Sequence, residues 1–178
     1  MTFISRLLGK AFSPGNRPDD RAPVRPLWHW AVAEARQPDW YARCGMADTV
    51  PGRFDALTLV LATVMLRMER EEALIGPSAL LAELFVEDMD GQLRQNGVGD
   101  LVVGKHIGKI MGALGGRIAA LREALANPDE SALVEAARRN ATLIEGSDPA
   151  LAAARLRGLA QRLEATPGGE LLAGNIAP

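Results

Sequence analysis

The stretch Asp88-Met-Asp-Gly-Gln-Leu-Arg-Gln-Asn-Gly-Val-Gly-Asp100, followed by Lys105 and Lys109, reads as the end of one helix, a corner and the start of another. Asp88, Asp90 and Arg94 stand near the end of the first helix. Gly97 and Gly99 mark a tight corner, where glycine takes the left-handed cap conformation at little cost. Asp100, Lys105 and Lys109 follow on the far side. A helix needs a stop signal at such a place, but packing does not call for so much charge.

Working outward, Leu81, Leu84, Phe85, Met89 and Leu93 recur at helical spacing before the corner. Gly76-Pro77 is expected to break the chain ahead of them, with Pro77 in the first turn of the new helix. Beyond the corner, Ile107, Ile110, Met111, Leu114, Ile118, Leu121 and Leu125 form a continuous stripe on a helix starting near Gly104. An earlier long helix runs from Pro51-Gly52 to about Glu72. Its segment Ala56–Leu66 is apolar except for Thr58 and Thr63, which predicts burial on most sides. That run falls short of the ~20 residues a membrane-spanning helix needs.

A first helix spans Leu27 to about Arg36, and Pro38 restarts a short turn through Trp40 and Tyr41. Asn127-Pro-Asp-Glu130 reads as a capping box with proline at the first helical position, opening a helix to about Leu143. Ser147 or Asp148 caps a further helix with Leu156, Leu159 and Leu163 on one face, ended by Thr166-Pro-Gly-Gly. The expected fold is all-α: one compact domain of about six helices over residues 27–166, with a flexible tail over 167–178. Hydrophobic residues at 48% supply a core, while aromatics at 4% leave it to Leu, Ala, Val and Met, a composition that suits helices.

Residues 1–26 differ in character. Phe3, Ile4, Leu7, Leu8, Ala11 and Phe12 recur at helical spacing, with Arg6 and Lys10 on the other side and no acid before Asp19. Such a segment suits an anionic membrane surface, a helix docked on its own domain, or a mitochondrial presequence. Membrane-surface contact would fall to Phe3, Ile4, Arg6, Leu7, Leu8, Lys10 and Phe12. Residues 13–26 form a proline-rich linker in which Pro14, Pro18, Pro23 and Pro26 disfavour regular structure.

The charge balance, 20 basic against 22 acidic residues, excludes a global nucleic-acid-binding field, and no DNA partner is expected. A local patch of Lys105, Lys109, Arg117, Arg138 and Arg139 keeps an RNA- or ribosome-contacting adaptor as the alternative reading. A small helical enzyme is disfavoured. Asp88 and Asp90 point in different directions on a helix. His29 and His106 lack acids or thiols at metal spacing. No phosphate loop or nucleophile elbow is present, and Cys44, the only cysteine, has no evident partner. No catalytic residue, metal site or cofactor is therefore assigned.

Gly108, Gly112 and Gly116 share one face of their helix, at about 1 kcal/mol each relative to alanine. Either another backbone packs tightly there inside the domain, or the face forms a groove for a partner helix.

Across residues 27–142 the order of motifs resembles the ubiquinol–cytochrome c chaperone family, the assembly factors of respiratory complex III. Trp40-Tyr41-Ala-Arg-Cys-Gly45-Met-Ala-Asp48-Thr49 is similar to its aromatic-rich segment. Gly52-Arg53-Phe54-Asp55 is similar to the start of its long apolar helix, and Asp88 through Asp100 with Lys105 and Lys109 resembles its most recognisable block. Gly116-Arg117 and Arg139-Asn140 continue the likeness. Two departures are Gly115, where the family often has an aromatic, and His106 within the basic segment.

The resemblance implies a non-enzymatic helical protein that holds newly made cytochrome b while haems and partner subunits arrive. A small helical co-chaperone or the ribosomal exit region are further partners it implies. The N-terminal segment is short for a presequence plus linker. The expected location is therefore the cytoplasmic side, peripheral to the inner membrane, or the mitochondrial matrix in a eukaryote.

A receptor for a membrane-protein client wants mixed charges beside apolar surface. Arg53, Asp55, Asp88, Asp90, Arg94, Gly97, Gly99, Asp100, Lys105, Lys109 and Arg117 are the candidate client-binding residues. For Arg53, Asp55 and Asp88 an internal, partly buried network is the competing role. Asp90 and Arg94, four apart, are placed to pair.

Overall fold

In the computed structural model, which describes residues 19–95, 97 and 99–177, the helices follow one another with short connections. A 3-10 turn at Ala22–Val24 leads into α1, Arg25–Ala35, and α2, Pro38–Ala42. The long helices α3, Val50–Met68, α4, Glu72–Gln95, and α5, Asp100–Ala126, come next. Then come α6, Glu130–Asn140, α7, Pro149–Ala165, and the short α8, Gly168–Leu172. The described residues contain no β-strand, only an isolated antiparallel bridge between Met46 and Leu143. The expected all-α single domain is thus what the chain forms.

α3 is the axis of the fold because its sequence gives it no polar face. Leu59, Val60, Leu61, Ala62 and Val64 are all fully buried, around the whole circumference of the helix. Burying each larger side chain contributes about 1.5–3 kcal/mol. The two threonines satisfy their hydroxyls internally: Thr58 donates to the Phe54 carbonyl and Thr63 to the Leu59 carbonyl, both at 2.8 Å. α1, α4, α5 and α7 pack around α3, and α6 bridges α5 and α7.

Several boundaries differ from the sequence expectation. Gly76-Pro77 does not break the chain; α4 begins one turn earlier, at Glu72, and carries Pro77 inside it. The break falls at residues 69–71, and buried Leu74 anchors the first turn of α4. Proline so near a helix start forfeits a single backbone hydrogen bond, which this anchoring offsets. Pro23 and Pro26 likewise begin helical turns instead of excluding them. α5 starts at Asp100, a turn before Gly104.

The cap of α6 is Asp129, whose side chain accepts from the Ser131 amide at 2.9 Å, so Pro128 lies outside the helix. α6 stops at Asn140 because residues 142–144 pair with residues 45–47. The Ala47 amide donates to the Thr142 carbonyl, and the Ile144 amide to the Gly45 carbonyl, both at 2.8 Å.

Residues 168–177 also depart from the expected flexible tail. Leu171 and Ile176 are buried in the core, and Arg162 donates to the Ala177 carbonyl at 3.2 Å. The amphipathic segment at residues 3–12 lies outside the described residues.

Candidate partner-binding surface

The expected site residues do not gather in one place. Asp55 and Arg117 are not on the surface: they are 9% and 8% exposed and form an ion pair between α3 and α5. The second Asp55 oxygen accepts from the Thr142 amide at 2.9 Å and from the Thr142 hydroxyl at 2.6 Å. Arg117 also donates to the Asn140 carbonyl at 3.2 Å, and its guanidinium lies 5.5 Å from the centre of the Phe54 ring. Burial pushes the Arg117 guanidinium down from its ordinary value, and the Asp55 charge opposes that shift. Asp55, Arg117, Asn140 and Thr142 form a clamp that ties α3, α5 and the end of α6 together.

Arg53 does not join that network. It stands exposed at the start of α3 and donates to Asp48 at 2.6 Å. The Arg53 hydrogen bond holds the Asp48 carboxyl below its usual range. Gly52 beside it is required by packing, since a side chain there would collide with the Ala47 carbonyl.

The aromatic segment is structural too. Trp40 is fully buried and donates through Nε1 to the Glu34 carbonyl at 3.0 Å. Arg155 from α7 covers its ring at 4.7 Å and reaches the buried Glu34 carboxylate at 3.0 Å. Residues 34 and 155 lie far apart on different helices, and no spacing rule links them.

The second place is the corner between α4 and α5, built as the sequence predicts. Gly97 has φ +81°, and its amide donates to the Arg94 carbonyl at 3.0 Å, closing α4. Gly99 is extended and caps α5, its carbonyl accepting from the amides of Val102 and Val103. Asp100 opens α5 through its backbone. Asp90 and Arg94 pair at 2.7 Å, and Gln92 donates to Asp88 at 2.9 Å.

Lys105 and Lys109 are exposed and have no carboxylate partner among the described residues. Along α5 they stand about 12–18 Å from Arg117, at 1.5 Å per residue, so the corner and the clamp are separate features.

The glycines of α5 extend the corner. Gly108, Gly112 and Gly116 are exposed, and a methyl group at any of them would meet no atom within 4 Å. Among the described residues nothing packs tightly against them. They leave a bare, backbone-lined face beside the two exposed lysines.

Asp88 faces a different feature, a groove of about 410 Å³ between α1 and α4. Arg25, Trp28 and His29 line one wall, and Leu84, Glu87 and Asp88 are among the residues of the other. Sequence reasoning missed Glu87 and Trp28 as its companions. Helical spacing stacks Glu87 and Gly91 together on one side of Asp88, but nothing in α4 alone shows that α1 lies opposite.

Among the described residues no group of His, Cys, Asp and Glu is placed to hold a metal ion, and no helix is long and apolar enough to cross a membrane. Cys44 is buried, which pushes its thiol above the ordinary value.

The family model for ubiquinol-cytochrome C chaperones matches residues 42–177 of this chain. The match extends past residue 142 to take in α7 and α8, which the motif comparison had left outside. The crystal structure of the Cbp3 homolog from Brucella abortus is similar in sequence and fold. It has 31% identity and a TM-score of 0.77, over 89% of this chain and 90% of that one. No curated protein matches the chain at a significant level.

Proposed function

This chain belongs to the ubiquinol–cytochrome c chaperone family, and from that premise we propose that it binds newly made cytochrome b and holds it during assembly of ubiquinol–cytochrome c reductase. The observation that carries this reading is the α4–α5 corner. Two exposed lysines with no carboxylate partner among the described residues stand beside a bare glycine face and a paired Asp90–Arg94. Exposed charges steer and register a partner, and side-chain-free backbone lets a partner helix approach closely.

In this reading Asp88, Asp90, Arg94, Asp100, Lys105 and Lys109 meet the client, with Gly97 and Gly99 fixing the corner that presents them. Arg53 lies on a separate exposed edge beside Asp48, suited to a second partner such as a small helical co-chaperone or the ribosomal exit region. Asp55 and Arg117 act indirectly, by holding α5 against α3. Residues 3–12 make weak contact with the anionic inner-membrane surface on its cytoplasmic side. No catalytic step is assigned.

The test is genetic. Deleting the gene should lower cytochrome b and assembled complex III while oxidases that bypass complex III stay intact. Normal cytochrome b spectra and normal complex III in the deletion strain would refute the proposal.

A further inference from the structure

We draw no further inference here: the strongest candidate, the bare glycine face of α5 beside Lys105 and Lys109, belongs to the client-binding surface already described, and nothing in the structure shows what covers it.

Discussion

Arg117 on α5 and Asp55 on α3, 62 residues apart in sequence, form a buried ion pair whose carboxylate also takes two hydrogen bonds from Thr142. The pair is satisfied on both sides, since Arg117 donates to Asn140 as well. Removing one partner leaves an uncompensated buried charge. Arg117→Ala is therefore expected to cost about 3–5 kcal/mol of unfolding free energy. Arg53→Ala, which breaks only an exposed pair, should cost far less. Chemical denaturation of the two variants measures the contrast, and equal losses would contradict the clamp.

How much of this was legible in the sequence depends on the range of the physics. The burial of α3 was, because Ala56–Leu66 has no polar face to turn outward. So was the Gly97 corner, since a left-handed cap is a local requirement. Asp55 and Arg117 stood out as charges in motifs, but nothing local says that two helices bring them together. Pro77 misled because its effect depends on whether a buried Leu74 anchors the preceding turn. The tail misled for a similar reason: Leu171 and Ile176 are isolated apolar residues, and only the docked structure shows the core they fill. The resemblance to the family named the function class, while the separation of clamp from corner needed three dimensions.

The open glycine face gives a prediction of opposite sign. Gly108→Ala, Gly112→Ala and Gly116→Ala each have room for the new methyl group and should stabilise α5 by up to about 1 kcal/mol. Gly52→Ala should destabilise, because the Ala47 carbonyl occupies the space. Melting curves decide it. If the α5 face also receives a partner helix, the stabilised variants should bind client more weakly.

Glu135 provides a pH signature. Hydrogen bonding from Arg138 outweighs an opposing desolvation and, with Arg139 adding to it, lowers its carboxyl to about 2. A carboxyl depressed in the folded state contributes stability that is present above its unfolded value. That contribution is lost as pH falls toward 2. Carboxyl titration by NMR should place Glu135 well below the ordinary glutamate value, and Arg138→Ala should move it back up. A titration midpoint unchanged by that substitution would contradict the pairing.

The N-terminal segment should bind anionic vesicles weakly and reversibly. Arg6 and Lys10 contribute about 1 kcal/mol each near such a surface, and a stripe of little more than two turns cannot anchor alone. Sedimentation with phosphatidylglycerol vesicles should show binding that fades at high salt and disappears on removing residues 1–12. Binding that survives the truncation would place the membrane contact elsewhere.

The central claim, that the α4–α5 corner receives newly made cytochrome b, is tested most directly by site-specific photo-crosslinking in living cells. A photoreactive residue at Lys109 should capture newly synthesised cytochrome b, and Lys105→Glu in the same chain should reduce that capture without lowering the melting temperature by more than a degree or two, as expected of an exposed lysine. The same probe at Arg70, which pairs with Glu164 near the α3–α7 end, should capture none. Capture of cytochrome b at Arg70 and not at Lys109 would contradict the account.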